Sequence, residues 1–517
     1  MINKISFMFS PPSNYNTKSI FVYQINLNHF VDFWLLNPHN FSVFYDIISI
    51  GNKEGLMFNF NIEEHKFKYI HFIGIGGISM SGIAELLNHY GYKVSGSDRE
   101  ESDETNRLKS LGVEIFIGQK RENIKNPDLI VYTDAILDDN EELIAARELG
   151  VDVVSRGVFL GALMRNYKYS IGVSGSHGKS TTTSMIAKIL IDAKVDPSIL
   201  LGGKLDEIQG NVHCGNSEYM LTEACEYKAN ILNYYPSMAI ILNIDEDHLD
   251  FYKDLNHIVA TFIGYMKNLD ENSKAIINID DKNCEPLLSH IKGEIITFGI
   301  ENEKADYNVH DITFNENGNP SFVVSSEKFD KDEEFSLSII GRHNVYDAVA
   351  AIIACFEFHI DIDTIRKNMK EYHNLHRRME TIGFYKGCEV KTDYGHHPTE
   401  IKNTLKALDE HKKGKFYCVF QPHTYSRTKM LLDDFANAFY DCDEVIVTEI
   451  YAAREKFDSS IHSTDLVEKL VKNGVNAKYY KTFEEARDYI RSKVCENDMV
   501  LTTGCGNPDV LAKMIVE

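Results

Sequence analysis

Seven consecutive residues, Gly175-Ser176-His177-Gly178-Lys179-Ser180-Thr181, carry the most specific chemistry in the chain. Glycines let the backbone approach a ligand closely, and successive N–H groups at a turn can surround phosphate oxygens. A lysine behind such a loop reaches the β- and γ-phosphates of ATP, and the hydroxyl after it can ligate Mg2+. Lys179 and Ser180 stand in those positions. The long form of the loop, G-x-x-x-x-G-K-[ST], needs glycine at 173, where Val173 stands, and Gly172 comes one residue too early. What remains is a shorter loop of the same chemistry, opened by Gly175.

Phosphoryl transfer also needs hard oxygen ligands for Mg2+. "TEACEY" (222–227) supplies Glu223 and Glu226, and "NIDEDHLDFY" (243–252) supplies His248. Both stretches end runs that read as strands, and open α/β sheets bind ligands beyond the carboxyl ends of their strands. Taken singly, the acids read as solvated charges and His248 as a hydrogen-bonded loop residue. Converging on the lysine loop, the two acids and His248 read, with the Ser180 hydroxyl, as candidate metal ligands. Cys225 lies between the acids and reads as packing, because no partner base is evident. A second glycine stretch, "GIGGISMSG" (74–82), follows a strand and opens a helix. Amides at such a helix start, here Gly76 and Gly77, suit a pyrophosphate, and Asp98 suits a ribose hydroxyl. Ser79 replaces the third glycine of the dinucleotide fingerprint. A pyrophosphate-bearing ligand is therefore expected, with NAD not specified.

The elements that must position these residues alternate β-branched runs with amphipathic stretches from about residue 68 onward, which is the pattern of parallel α/β units. The strands "KYIHFIGI", "YKVSGSD", "DLIVYTD" and "VDVV" form a first unit. "YSIGVSG", "YMLTEA" and "MAIILNI" form a second, closed by the helical "NVYDAVAAIIACFEF". "CEVKTDYG", "KFYCVFQ", "DEVIVTEI" and "DMVLTTG" form a third. Three consecutive α/β domains are expected, the first and last Rossmann-like and the middle one of the phosphate-loop ATPase type. Residues 1–56 hold the only tryptophan, Trp34, show neither period nor signal-peptide pattern, and are expected to be a poorly ordered extension outside the catalytic fold.

Composition bounds the rest. Lys and Arg total 54 against 77 Asp and Glu, a formal charge of −23. That balance argues against general affinity for nucleic acid or anionic membrane, since counterion release needs clustered cations. Nine scattered cysteines without metal-knuckle spacing fit a reduced, cytoplasmic protein. No run of about 20 apolar residues suggests membrane insertion.

The motifs "HFIGIGGISMSGIAELL", "GSHGKSTTT", "EACEY", "NIDEDHLDFY", "GRHNVYDAVAAI", "HRRME", "DYGHHPTEI" and "FQPHTYSRT" together resemble the Mur ligases, the ATP-dependent amide-forming enzymes of peptidoglycan precursor synthesis. The short G-x-x-G-K-[ST] loop is that family's own. The resemblance is greatest to the branch that adds L-alanine to UDP-N-acetylmuramate. It implies a UDP-substrate domain over 57–166, a central ATP domain over 167–375 and an amino-acid domain over 376–517. It also implies that His343, Asn344, Arg378 and Asp393 join the loop residues in binding ATP, with His343 and Asn344 beside the adenine. His396 and Arg427 would place the incoming alanine, Arg427 through its carboxylate, and with Lys179 they form the expected catalytic set. Mg2+ is the implied cofactor, with Ser180, Glu223 and His248 as its implied ligands, and a monomer or weak dimer the implied state. An acyl phosphate must be kept from water, which predicts domain closure about hinges at 164–168 and 371–384.

Four positions depart from the family pattern. Cys225 stands where relatives often have aspartate, and Thr424 where they often have a basic residue. "YTDAI" (132–136) replaces a Ser-Ser-Ala stretch, and "TTGCGNPD" a Gly-Ala-Gly-Asp turn. Three rivals stay open on sequence: a sibling ligase adding a pre-made peptide, a non-catalytic nucleotide sensor, and a dehydrogenase built on the first glycine loop.

Overall fold

The computed structural model describes residues 58–453 and 455–517; the expected extension at 1–56 lies outside the described residues. Three sheets follow one another along the chain. The first has five parallel strands, ordered Glu114–Ile117, Lys93–Asp98, Tyr69–Ile73, Leu129–Tyr132 and Asp152–Ser155. Every residue of its central strand, "YIHFI", is buried, as expected of a parallel strand covered on both faces. The chain reverses direction of build beside that strand, and such a switch point opens a crevice for ligand. Gly74–Gly77 fill it and lead into the helix Ile78–His89.

The central sheet has ten strands. Its parallel middle is ordered Glu294–Gly299, Lys274–Asn278, Met238–Ile241, Tyr169–Ser174, Tyr219–Glu223 and Ser198–Leu205. Tyr307–Phe314 still adds in parallel beside Glu294–Gly299, and antiparallel strands then extend both edges: Gly210–His213 on one side, and on the other Pro320–Ser325 and Glu333–Ser336, which form a meander with Tyr307–Phe314. A purely parallel unit was expected here. The difference has a clear cause, because Pro320–Ser325 alternates buried and half-buried residues, the pattern of a sheet with one wet face. The helices Lys179–Asp192 and His343–Glu357 pack on one face, joining Met185, Ile189, Val345 and Ile352 to the sheet core.

The third sheet is ordered Glu380–Tyr385, Cys388–Asp393, Met499–Thr503, Phe416–Phe420, Glu444–Val447 and Ala477–Tyr479, with only its first pair antiparallel. The first and central sheets share one hydrophobic cluster, running from Phe72 and Phe159 to Met220 and Phe262. The hinge candidate 164–168 lies in it: Met164 and Tyr167 are buried, and Asn166 binds the backbones of Phe60 and Ile62 at 2.8 Å each. The third sheet has cores of its own, and Leu249 and Ile340 from the central unit rest on one of them. Its other ties to the central unit are mostly polar. Among the described residues, no helix is long and apolar enough to cross a membrane.

Candidate active site

The lysine loop leaves the strand Tyr169–Ser174 and is stitched from one side by Asn243. Asn243 Oδ1 accepts from the His177 amide at 2.8 Å, its Nδ2 donates to the His177 carbonyl at 3.0 Å, and its own carbonyl accepts from the Ser176 amide at 3.1 Å. Gly178 caps the helix Lys179–Asp192 with φ +84°, without a side-chain cap and with no acid in the first turn. The first-turn amides, including those of Ser180 and Thr181, therefore meet no acid of their own helix, which suits phosphate. The Lys179 ammonium folds back on the loop, donating to the carbonyls of Gly175 and of Ser176, the latter at 3.1 Å, and pairing with Glu226 at 3.0 Å. Burial works against its charge, but Glu226 and Cys225 outweigh burial and raise its pKa.

Glu226 is buried, and its Oε2 has no hydrogen-bond partner among the described residues. Its Oε1 lies 3.8 Å from His248 Nε2, and Asp247 Oδ2 lies 3.7 Å from the same nitrogen. Glu226, Asp247 and His248 thus form a tight donor cluster beside Lys179. An orphaned carboxylate oxygen with a neighbouring imidazole fits a divalent cation. Of the acids read from sequence, it is Glu226 that stands against His248. Glu223 Oε1 accepts from the Gly202 amide at 2.7 Å, and its charge acts on Arg378. Cys225 is inert, its thiol pushed up to about 11 by burial.

Helix His343–Glu357 carries three more groups, of which Asp347 reaches the loop. Asn344 ties its side chain to the Ile340 carbonyl at 2.6 Å, and burial together with Arg378 lowers His343 to about 4, so its ring is neutral. Asp347 lies against Gly178 and burial pushes it up to about 7, with Thr182 and Arg378 pulling the other way. An acid raised on folding stabilises most fully below its unfolded pKa, about 3.9, and loses that contribution as pH rises towards 7. Asp347→Asn mimics the neutral acid. It should therefore gain stability relative to the parent between pH 5 and pH 7.5, a trend that urea unfolding at the two pH values would read.

The third sheet delivers the remaining residues from the carboxyl ends of its strands. Asp393 is committed to the backbone, accepting from Met379 at 2.9 Å and Gly395 at 2.8 Å. Arg378 stacks over the Tyr394 ring at 5.2 Å, faces Glu400, Asp393 and Glu223, and has no hydrogen-bond acceptor among the described residues. His396 Nδ1 lies 3.1 Å from the Tyr394 carbonyl; a carbonyl only accepts, so Nδ1 carries the proton and Nε2 is left as the basic nitrogen. Burial, helped by Arg427, lowers His396 to about 4, so it is a neutral base at pH 7. Arg427 donates to Asp247 Oδ1 at 2.8 Å and to His423 Nδ1 at 3.2 Å. Thr424 caps the short helix that carries Arg427, a role a basic side chain would not fill.

His177 joins the two units. Its Nε2 donates to Asp245 Oδ2 at 2.9 Å, and its Nδ1 lies 3.5 Å from Glu400 of the third unit. Thr399 donates to the same Asp245 oxygen at 2.8 Å, and His397 Nε2 donates to the Glu246 carbonyl at 2.9 Å. Burial opposes a charge on His177, yet the two acids raise it to about 9, so it sits there as an imidazolium.

Three family descriptions tile the chain: "Mur ligase family, catalytic domain" over 69–168, "Mur ligase middle domain" over 173–355 and "Mur ligase, glutamate ligase domain" over 377–506. The UDP-N-acetylmuramate–L-alanine ligase of Clostridium novyi is 46% identical over 459 residues, 89% of this chain and 99% of that protein. The chain belongs to the Mur ligase family. The like-named ligase of Alkaliphilus metalliredigens is also 46% identical, over 89% of this chain and 99% of its own length. The crystal structure of the Thermotoga maritima UDP-N-acetylmuramate–alanine ligase superposes with TM-score 0.73 at 28% identity, covering 87% of this chain and 98% of that one. A murein peptide ligase from Psychrobacter arcticus, 22% identical with TM-score 0.68 over 87% and 98% of the two chains, shares the fold.

In this Mur ligase the first glycine loop is held by Asp98, whose Oδ2 accepts from the Gly76 amide at 2.8 Å while Oδ1 accepts from Arg99 at 2.7 Å. A Cβ on Gly76 would meet that carboxylate at 2.8 Å. Asp98 therefore shapes the Gly76-Gly77 turn directly. Arg156, missed on sequence, begins the helix after the last strand of the first sheet; its guanidinium reaches Ser79 at 3.4 Å and Asp134 at 3.7 Å. Its position just past a strand's carboxyl end was the available signal. Asn243 and Asp247 were likewise visible only as letters of a motif, since their roles come from a neighbouring strand and a neighbouring unit.

Proposed function

We propose that this Mur ligase joins L-alanine to the lactyl carboxylate of UDP-N-acetylmuramate at the expense of ATP, giving UDP-N-acetylmuramoyl-L-alanine, ADP and phosphate for peptidoglycan synthesis. The observation that carries the reading is the meeting of Lys179, Glu226, Asp247 and His248 of the central unit with His396 and Arg427 from the third sheet, joined by the Asp247–Arg427 pair. The curated relatives that bear this activity in their names support the choice of amino acid.

The γ-phosphate sits against the amides from Gly175 to Thr181, with Lys179 released from Gly175 and Ser176 onto it. Arg378, without an acceptor of its own, adds a second cation, and the neutral His343 and Asn344 lie by the adenine. The lactyl carboxylate attacks the γ-phosphorus in line, the bond to the β,γ-bridging oxygen breaks, and an acyl phosphate and ADP result. Ser180, Glu226 and His248, with Glu223 close by, would hold Mg2+, which when bound screens the charge of triphosphate against carboxylate. Alanine's amine, freed of a proton by His396 Nε2, attacks the acyl carbon and phosphate leaves. Asp98, Gly76 and Gly77 shape the seat of the UDP moiety.

Phosphate release from ATP, measured with UDP-N-acetylmuramate in the presence and absence of L-alanine, tests the proposal. Sustained release requiring both is expected. Release that needs a tripeptide in place of alanine would reassign the enzyme to peptide addition, and ATP binding without turnover would make it a sensor.

A further inference from the structure

Where the third sheet meets the loop carrying His248 lies a buried ion pair that the catalytic scheme leaves unused. Arg427 and Asp247 are 2.8 Å apart, and their side chains are 12% and 8% exposed. Asp247 Oδ1 also accepts from the His248 amide at 2.6 Å, while Oδ2 points towards His248 Nε2 at 3.7 Å. The His396 ring packs 6.0 Å from the His423 ring, to which Arg427 donates at 3.2 Å. A fixed cation beside a fixed anion is the electrostatic complement of an α-amino acid, which enters as a zwitterion. Arg427 offers its free N–H groups to a carboxylate, and a carboxylate next to it offers lone pairs to an ammonium.

We propose that Asp247 is the anchor for the α-ammonium group of the incoming amino acid, paired with Arg427 as the anchor for its carboxylate. The inference rests on the alanine reading above and extends it to a residue with no assigned role. Several observations converge on Asp247. It reaches the pocket from the loop that also carries His248, so an amine held there lies at the border of the phosphate site, where the acyl carbon must be. Its Oδ1 is already held by the Arg427 guanidinium at 2.8 Å and the His248 amide at 2.6 Å, which fixes it as an anchor rather than a base. That leaves proton removal to His396 Nε2 across the same pocket. Until alanine arrives, the two charges satisfy each other, which lets them stay buried.

Asp247→Asn keeps the shape and the acceptor for Arg427 while removing the charge. The KM for L-alanine should rise about 10–100-fold, the worth of a charge-assisted hydrogen bond, with the KM for ATP and for UDP-N-acetylmuramate within about twofold. The informative comparison is L-lactate, which has the carboxylate but no ammonium, used as a competitor of alanine. Its inhibition constant should hardly move, so the ratio of lactate Ki to alanine KM should fall by the same factor. Asp247→Glu, which keeps the charge, should retain part of the discrimination and serves if the Asn variant does not fold. Equal weakening of lactate and alanine would overturn the proposal in favour of a packing role. A shift in the Mg2+ concentration for half activity, with alanine KM unchanged, would overturn it in favour of a metal-side role. Absence of alanine-dependent phosphate release in the parent enzyme would instead strike the underlying reading, independently of Asp247.

Discussion

Replacing Lys179 by methionine is expected to lower phosphate release by about 10²–10³-fold or more, the cost of removing one preorganised charge from a phosphoryl transition state. Methionine keeps an unbranched stem and deletes the ammonium. The loss should fall on kcat as well as on the KM for ATP, because the lysine meets both the bound triphosphate and the charge that moves in transfer. A second effect is separable from the first. Glu226 is 2% exposed and Lys179 is its close cation, so the variant strands a buried carboxylate, at a cost of about 3 kcal/mol or more. Lys179→Met/Glu226→Gln should recover much of that stability in urea unfolding and none of the activity. A single variant with normal stability and normal turnover would remove the loop from the centre of the mechanism.

Gly178→Ala should be nearly as damaging, for reasons visible before any nucleotide binds. The residue has φ +84°, and an added Cβ would lie 2.2 Å from Asp347 Oδ1. The left-handed backbone costs an L-residue about 1–2 kcal/mol, and the collision adds about 1–3 kcal/mol of overpacking in a site that cannot open freely. The summed destabilisation is about 2–5 kcal/mol, with a large rise in the KM for ATP as the first-turn amides shift. Pairing Gly178→Ala with Asp347→Ala removes the collision and leaves the backbone strain. The double variant should therefore be more stable than the two single effects summed. Strict additivity would show that the steric contact carries no weight.

Much of this architecture was legible in the order of residues. Strands such as Tyr69–Ile73, Tyr169–Ser174 and Phe416–Phe420 are short apolar runs followed by glycine or polar turns, and their carboxyl ends carry the chemistry that parallel sheets place there. Lys179, His396 and Arg427 do meet around one site, because each lies at such an end or begins the next helix. Less legible were the strands of the central meander, whose half-wet alternation is weak beside the buried runs. Side-chain commitments were not legible at all. Asp98 and Asp393 look like ligand groups in the sequence, yet each spends its oxygens on nearby backbone amides. The partnership of Glu226 with His248 depends on how two loops from different strands cross, which no spacing along the chain encodes.

The imidazolium of His177 is shared by two bodies of the protein: Asp245 holds it from the central unit, and Glu400 from the third. A displacement of the C-terminal sheet would strip one counter-ion from the very turn that must wrap the triphosphate. Since free-energy coupling works equally in both directions, nucleotide seated in that turn bears on where the far sheet comes to rest. Fuel and acceptor can thereby sense each other before any bond between them is made.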